Sequence, residues 1–463
     1  MCRHWRRTVL QCPELWSELS LSKDEKYLKT FLERAKGSAL DIVVDRGVPI
    51  RTMVLLPPLT KQIRTLDFFS SGWEDIQRFS EATSGSLPLL HTLTIDITKE
   101  DSPSDFEGTT PSPPLLSGAT NLRALHFRSR LDQSPFIHHL VFTNLVSLDL
   151  SIAQREEFHA SRLFDFLEGS PMLQIVNMEV LAAVSFEGVP GERIVSLPSV
   201  EEFTLVVSEG GPGFRIATHI HCPSAKSTAI TRKVNFSHTF LAEIFPPLVP
   251  WNAIVRQYTR SPVEEATLKI LPGLTILTCK LTFWSPDSTT INLGFKVPRN
   301  IDGSDVLSTE GWIHEILVRA IWTIKNHPHL ANLKRLRICH SFRRSSDERG
   351  IGNAIGRLFH SLGPLDEMTI YRCDLRPYLR PFLQAGNWES VVFPSIKELT
   401  ISHPINLPDC STAIMELAKS QHARGIPFER VVIQSARMVE GMEEGLRPWV
   451  GSVKYCCEPE WST

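Results

Sequence analysis

His219, His221 and Cys222 come nearest to a metal-binding group in this sequence of 463 residues. Alternate positions of a strand point the same way, so both imidazoles would share one face and could bind zinc together with a thiolate. The sequence offers no fourth ligand at local spacing. Because a metal site needs an assembled ligand shell, we expect solvated or hydrogen-bonded histidines here and no bound metal.

Catalytic motifs are missing from the rest of the sequence. It contains no G-x-S-x-G, P-loop or H-E-x-x-H pattern, and the glycines of 350–356 have the wrong spacing for a dinucleotide-binding loop. Cys456-Cys457 favours an exposed thiol pair, because vicinal cysteines form only a strained bridge. The basic cluster 340–344 favours a solvated loop over an acidic-peptide or phosphate site. We therefore predict no catalytic residues and no cofactor, and expect a protein that is not an enzyme.

Charge and cysteine usage narrow the classes of partner. The 49 Lys and Arg residues oppose 51 Asp and Glu, a formal net charge of -2, so global charge gives no case for binding nucleic acid or an anionic membrane. The 9 cysteines include no C-x-x-C pair, which favours free thiols in a reducing compartment. No run reaches the ~18 apolar residues of a membrane helix, and no apolar stretch suits a signal peptide. We expect a cytoplasmic or nuclear protein without nucleic-acid or membrane partners.

One six-residue pattern, apolar-x-x-apolar-x-apolar, recurs along the chain. Its copies begin at Ile63, Leu90, Leu122, Leu145, Leu173, Val200, Leu333, Leu365, Ile396 and Phe428. Within each of the two runs, equivalent positions recur every 23 to 32 residues, which is slightly longer than a typical leucine-rich repeat and leaves room for a helix in every unit. Proline stands one or two positions ahead of several copies, where it ends a preceding helix.

The segments between copies show helical periodicity. Apolar stripes favour helices over 309–326, 347–362 and 374–386. A short strand followed by a helix, repeated, stacks into a curved parallel sheet with outer helices, so we expect an α/β, leucine-rich-repeat-like solenoid. The middle apolar residue of every copy should be buried: Leu66, Leu93, Leu125, Leu148, Val176, Phe203, Leu336, Met368, Leu399 and Val431.

Two segments depart from this rhythm. Residues 98–118, rich in Pro, Ser, Thr and acid, predict a surface loop. Residues 206–300 predict irregular repeats or an insertion, with one imperfect copy at 274–279 and a hairpin arm over 290–297 that turns at 285–288. The sequence predicts five parts. They are an amino-terminal segment over 1–22, a connecting helix and first strand over 23–58, repeats over 59–205, the irregular part over 206–300, and further repeats over 301–463.

Polar side chains between the strand apolar residues predict a strip that binds a partner. In an apolar-x-apolar strand the middle side chain points away from the core, and a parallel sheet brings such positions to within ~5 Å of each other. In the second half of the chain, the residues that precede the first apolar residue of each strand run beside this row. The predicted strip therefore comprises Asp67, His126, Asp149, Arg335, Arg337, Glu367, Glu398 and Arg430. The row of middle side chains also contains Thr400 and Val432. The alternative is a merely solvated sheet, because such rows are polar in any solenoid.

The amino terminus predicts an apolar anchor. Cys2, Trp5 and Val9 fall on one face at helical spacing, and a short turn after Pro13 follows. We expect Trp5, Leu15 and Trp16 to form this anchor, packed onto the first repeat.

The same residues carry a family resemblance. Residues 2–7 (CRHWRR) and 12–19 (CPELWSEL) resemble the second half of an F-box, as found in large fungal families of F-box proteins. Residues 31–35 and 39–44 resemble the helix and first strand that join such boxes to a repeat domain. The Leu-Pro-containing opening of the box has no counterpart because Met1 falls inside the motif, so we expect either a truncated gene model or a copy that has lost the activity.

The resemblance implies a substrate-recognition adaptor of a cullin-RING (SCF-type) ubiquitin ligase. In that family the helical box docks a Skp-family linker, which joins it to the cullin, and the repeat domain holds a protein substrate. The alternative left open is a leucine-rich-repeat-like scaffold that binds proteins and has no ubiquitin ligase role.

Overall fold

The structure of this protein is a computed structural model. The described residues are 2–21, 25–46, 57–70, 87–97, 119–129, 142–153, 158–181, 183–208, 213, 215–233, 265–272, 276–284, 290–298, 333–340, 363–371, 395–404, 407–435 and 439–456. The predicted loop 98–118, the turn 285–288 and the predicted helices 309–326, 347–362 and 374–386 lie outside them.

The chain divides into two compact units, Met1–Ala225 (unit 1) and Lys226–Thr463 (unit 2). The strands of unit 1 are β1 (Glu18–Leu21), β2 (Leu40–Val44), β3 (Ile63–Ser70), β4 (Thr92–Ile97), β5 (Ala124–Ser129), β6 (Ser147–Ile152), β7 (Phe158–His159), β8 (Ile175–Val180), β9 (Val184–Ser185), β10 (Val195–Ser196), β11 (Glu202–Ser208) and β12 (Ile220–His221). Its helices are α1 (Arg3–Gln11), α2 (Glu25–Ala35), α3 (Ala160–Glu168) and α4 (Arg215–His219), with 3-10 turns at Pro13–Trp16 and Pro57–Leu59.

The main strands of unit 1 pair in parallel and almost in chain order. The order is β1, β2, β3, β4, β5, β6, β8 and β11. Two short parallel pairs, β7 with β9 and β10 with β12, lie beside this ladder. Parallel neighbours need a crossover connection, and α3 supplies one between β6 and β8.

The strands β4, β5, β6, β8 and β11 begin in the same way. The N–H of the first apolar residue donates to a carbonyl three residues earlier, as from Leu122 to Ala119 and from Leu145 to Phe142. The carbonyl that follows this apolar residue accepts from two successive N–H groups of the next copy: the Arg123 carbonyl accepts from Val146 and Ser147. The repeated sequence pattern is therefore also a repeated backbone hydrogen-bond pattern.

Two asparagines reinforce the contact between consecutive copies in unit 1. Asn121 Nδ2 donates to the Pro88 carbonyl at 2.7 Å, and Asn144 Nδ2 donates to the Thr120 carbonyl at 2.9 Å. Both side chains stand one residue before the first apolar position of their copy. Each asparagine donates to a carbonyl in the turn of the preceding copy. Both bonds therefore fix the turn of one copy against the turn of the copy before it.

The core of unit 1 contains the apolar side chains of the ladder. Alternation in β4, β5 and β6 buries every second residue, and Leu125 and Leu148 are 1% and 0% exposed. Helix α3 adds Leu163, Phe164 and Leu167, all buried. Burial of the apolar face of β6 and β8 together with the apolar side chains of α3 is the layered arrangement that the strand-helix periodicity predicts.

Unit 2 has a second set of strands and helices. Its elements are β13 (Ser227–Lys233), β14 (Glu265–Pro272), β15 (Ile276–Trp284), β16 (Thr290–Pro298), β17 (Arg335–His340), β18 (Leu365–Tyr371), β19 (Ile396–Ser402), α5 (Leu407–Ala423), β20 (Arg430–Gln434), α6 (Met442–Leu446) and β21 (Ser452–Cys456). Helix α5 connects β19 to β20, and α6 connects β20 to β21.

The strands of unit 2 include both parallel and antiparallel pairs. β17 to β21 pair in parallel in chain order, and β14 pairs in parallel with β17. β15 runs antiparallel to both β14 and β16, and β16 pairs in parallel with β13. The prediction of an imperfect repeat copy at 274–279 is therefore wrong. Most of this segment belongs to β15, which runs antiparallel to its neighbours, whereas the strands of the repeats run parallel. The segment predicted as irregular, 206–300, contains the boundary between the units and this antiparallel excursion.

The structure confirms the coarse prediction of an α/β protein with a large parallel sheet. The middle apolar residues of all ten sequence copies are buried, with exposed fractions of 0–2%. Strand β1 is an element that the sequence did not predict. Leu19 and Leu21 of this strand are buried. The strand lies inside the segment 1–22, whose sequence resembles an F-box, and it pairs with β2.

Candidate protein-binding face

The polar face of unit 1 is formed by alternate residues of the paired strands. Across the ladder, Asp67 pairs with Thr94, Thr94 with His126, His126 with Asp149, and Asp149 with Asn177. The strip residues Asp67, His126 and Asp149 are therefore brought into one row, as the pattern predicted. Neighbouring strands in a sheet lie ~4.8 Å apart, so this row is continuous.

Carboxylates dominate this face. Its alternate positions include the acids Glu18, Asp41, Asp67, Asp96, Asp149, Glu179 and Glu202. The arginines of the same strands are Arg64 and Arg128, and the one histidine of the row is His126. The near-neutral charge of the whole chain therefore conceals a strongly acidic surface on unit 1.

Some of these carboxylates have cationic partners. Arg64 Nη2 lies 2.5 Å from Asp41 Oδ2. Burial raises the pKa of Asp41, but hydrogen bonds from Arg64 and Thr65 together with the Arg64 charge outweigh it, so the pKa of Asp41 lies below its ordinary value. Asp149 Oδ2 lies 3.5 Å from His126 Nδ1 and 3.6 Å from the Arg128 guanidinium.

Asp67 and Asp96 differ from these acids. Neither has an ion-pair partner among the described residues, and the Oδ1 atom of Asp96 is shielded from solvent without any hydrogen-bond donor. Phe69 pairs in register with Asp96, and Val43 pairs with Asp67. Both apolar side chains are half-buried on the same face, so β2, β3 and β4 combine unpaired acid with apolar surface.

The corresponding face of unit 2 has a more balanced charge. In register across β17 to β20 lie Arg335, Glu367, Glu398 and Arg430, and Arg337 stands in the next row. Glu398 forms an ion pair with Arg430 and accepts a hydrogen bond from Thr400 Oγ1 at 3.4 Å. Glu367 accepts a hydrogen bond from Thr369 Oγ1 at 2.9 Å. Both acids of this ladder therefore have donors on the protein itself.

Two positions of the unit 2 row are buried, although the sequence pattern predicts that they are exposed. Val432 is 7% exposed and Thr400 is 9% exposed, although the pattern placed both on the binding face. They are register neighbours on β19 and β20. A partner on this face would contact the longer side chains beside them.

The amino-terminal segment is attached to unit 1 through Trp16. Its indole Nε1 donates to the Val9 carbonyl at 2.8 Å. The Trp16 ring packs edge-on against Phe31 with centroids 5.1 Å apart, and the Arg34 guanidinium lies 4.4 Å from its centroid. One indole thus joins α1, the 3-10 turn and α2, which makes Trp16 an anchor as predicted.

The other two predicted anchor residues do not pack. Trp5 is 64% exposed and Leu15 is 59% exposed, and α1 contains no buried residue. The predicted anchor is therefore wrong for Trp5 and Leu15, which are not packed onto a repeat. Helical spacing places side chains on a common face, but it does not provide a surface to cover them. Trp5 and Leu15 are instead large apolar groups presented to solvent.

The His219 group has a structural role in unit 1. His219 ends α4 and is buried, so it does not share a strand face with His221. Its ring packs against those of Phe164 and Phe186 in tilted orientations, at centroid distances of 5.4 and 5.5 Å, and its Nδ1 donates to the Arg193 carbonyl at 2.7 Å. These partners come from distant parts of the sequence, which gave no signal of them.

Cys222 of the same sequence group is a buried thiol. Burial raises the pKa of Cys222 to about 12, which keeps this thiol protonated near neutral pH. Cys457 of the vicinal pair lies outside the described residues, as do 341–344 of the basic cluster and the glycines of 350–356. Among the residues with described positions, no three His, Cys, Asp or Glu side chains are grouped as metal ligands. In the same part of the chain, no helix is both long and apolar enough to cross a membrane.

No family model matches the chain, and no curated protein matches it.

Proposed function

We propose that this protein is a substrate-recognition adaptor of a cullin-RING (SCF-type) ubiquitin ligase. The amino-terminal segment would dock a Skp-family linker, which joins the adaptor to the cullin. The polar faces of the sheets would hold a protein substrate. The observation that carries the proposal is that Trp16 fixes a helix-turn segment of F-box-like sequence while Trp5 and Leu15 remain exposed.

The repeated strands support a leucine-rich-repeat-like solenoid as the frame of this adaptor. Parallel strands in chain order, the same backbone bonds at the starts of β4, β5, β6, β8 and β11, and helices between several neighbouring strands are features of that architecture. A solenoid places residues distant in sequence on one continuous surface. The acidic row of unit 1 and the charged ladder of unit 2 are such surfaces.

Exposed apolar side chains are the expected contacts of a docking segment. Tryptophan is enriched among the residues that contribute most to protein interfaces, because its large ring gains much from desolvation. Trp5 and Leu15 contribute little to the fold, since most of their surface already faces solvent. Their loss should therefore affect linker binding without affecting folding.

Capture of a purified Skp-family linker by the full chain tests the proposal. The Trp5→Ala/Leu15→Ala double variant should weaken linker binding at least tenfold, measured by titration calorimetry. Ile194→Ala is the matched control, because Ile194 is 60% exposed and lies in unit 1 far from α1 in sequence. The control should bind the linker like the wild type.

Failure of the wild-type chain to bind the linker would overturn the adaptor role. Equal weakening by Ile194→Ala would show that the effect is a general loss of apolar surface. In either case the scaffold without a ubiquitin ligase role would be the better description of this chain.

A further inference from the structure

The distribution of charge on unit 1 identifies the kind of segment that its polar face would bind. The strands that form this face carry seven carboxylates. Their basic residues are only two arginines, Arg64 and Arg128. Those arginines are already engaged with Asp41 and Asp149. The remaining negative charge is not matched from within these strands.

The centre of the excess lies on β3 and β4. Asp67 and Asp96 belong to adjacent strands and adjacent rows, and the shielded Oδ1 of Asp96 accepts no hydrogen bond. A shielded oxygen without a donor lowers stability, because its bonds to water are lost and not replaced. A cationic side chain of a partner placed beside this carboxylate would offset its unmatched charge.

The apolar side chains among these acids suit long basic side chains. Phe69 and Val43 are half-buried neighbours of Asp96 and Asp67 in the register of the sheet. Lysine and arginine pack their methylene groups on apolar surface while the charged end reaches an acid.

We propose that the polar face of unit 1 binds an extended protein segment that carries lysine or arginine side chains. The inference rests on the proposed function, because it names the kind of substrate segment that the adaptor would hold. The ladder from β1 to β11 spans ~34 Å at the usual strand spacing, which an extended segment of ~10 residues covers. Charge complementarity selects the segment, and the continuous row positions it.

A fluorescent 12-residue peptide of alternating Lys and Ser provides the probe, with an alternating Glu and Ser peptide as its counterpart. Anisotropy should show that the full chain binds the Lys peptide and not the Glu peptide, and that added salt weakens binding. The Asp67→Asn/Asp96→Asn variant should bind the Lys peptide at least tenfold more weakly. Both changes keep the side-chain shape.

A matched variant in unit 2 separates site binding from general attraction. Glu416→Gln/Glu444→Gln removes the same charge from two exposed positions on α5 and α6 of unit 2, outside the predicted strip, and should leave peptide binding unchanged. Equal losses in both variants, or equal binding of the two peptides by the wild type, would overturn the proposal. So would unchanged binding by the unit 1 variant.

The linker titration distinguishes this inference from the adaptor role. Asp67→Asn/Asp96→Asn should bind the Skp-family linker like the wild type, because both residues lie outside the amino-terminal segment. If the chain fails to bind the linker but binds the Lys peptide through these acids, the adaptor role is wrong and the binding face stands. If it binds the linker and not the peptide, the binding face is wrong and the adaptor role stands.

Discussion

Units 1 and 2 build the same kind of parallel strand ladder but distribute charge on it differently. On unit 1, Asp67 and Asp96 have no ion-pair partner among the described residues. On unit 2, Glu398 pairs with Arg430, and Glu367 accepts a bond from Thr369. The buried positions are alike in both units, while the exposed positions differ in sign and in pairing.

This difference shows that core and surface are specified separately along one strand. Alternation assigns each residue to the core or to the polar face, and the core side needs only apolar groups of suitable size. The other side can then change its charge at little cost to the fold. The unmatched charge on unit 1 is the basis of the proposed binding face, whereas the acids of the unit 2 ladder have donors on the protein itself.

The largest expected effect tests the feature that the units share. Leu148→Ala in unit 1 and Leu399→Ala in unit 2 should each lower the free energy of unfolding by about 2 to 5 kcal/mol, the usual cost of such a cavity. Both side chains are buried, with exposed fractions of 0% and 2%. Denaturant unfolding gives the size of the loss, and hydrogen exchange should rise first in the strands next to each change. Unchanged stability of both variants would mean that the repeat cores are misassigned.

The next effect concerns the amino-terminal segment of unit 1. Trp16→Ala should destabilise this segment by about 1 to 3 kcal/mol, because it removes the contacts with Phe31 and Arg34 and the bond to Val9. Limited proteolysis should then cut near the amino terminus while the strands of unit 2 stay protected. Trp5→Ala is the control and should change stability by less than about 0.5 kcal/mol, because Trp5 is exposed. Equal sensitivity of the two variants would contradict the anchoring role of Trp16.

A smaller effect sharpens the contrast in charge. Arg430→Met should lower the stability of unit 2 by no more than about 1 kcal/mol, because its ion pair with Glu398 is partly exposed. Asp96→Asn should instead raise the stability of unit 1 by about 0.5 to 1 kcal/mol, since it removes a shielded, unmatched charge. Thermal unfolding at low and high salt measures both, and salt should reduce each difference. A loss of stability in Asp96→Asn would show that this carboxylate is already satisfied.

The smallest effect is a pH dependence that belongs to unit 1. Because the pKa of Asp41 is lowered in the folded protein, its stabilisation is present above the ordinary carboxyl pKa of about 3.9 and is lost as pH falls through the lower folded value. The stability difference between the wild type and Asp41→Asn should therefore shrink between about pH 5 and pH 2. The difference at neutral pH should stay below about 1 kcal/mol, as the Arg64 partner is largely exposed. In an Arg64→Met background, the same comparison should depend much less on pH.

The sequence predicts the ladder well because its signal is local. An apolar-x-apolar pair states directly which side chains enter the core, and Leu148 and Leu399 follow it. Strand β1 was missed although Leu19 and Leu21 alternate with polar residues, because four residues carry too little periodicity until the partner strand β2 is known. Short strands gain their stability from pairing, which lies outside the local pattern.

The candidate site is less predictable for a physical reason. The row of Asp67, His126 and Asp149 follows from alternation, but whether each acid has a partner depends on the register between strands. The position of Trp5 depends on whether another surface covers it, which helical spacing does not encode. The net charge of the chain does not indicate the acidic face either, since it averages that face of unit 1 with the rest of the chain.

The asparagine bonds of unit 1 have a consequence for how such a chain can evolve. Asn121 reaches a carbonyl 33 residues earlier, whereas Asn144 reaches one only 24 residues earlier, and both form the same bond to the preceding turn. The return path between two strands therefore tolerates a length difference of nine residues without a change of register. Insertions and deletions in these returns are silent with respect to the row of exposed side chains. A lineage could lengthen, shorten or replace the outer segments while the recognition surface keeps its spacing.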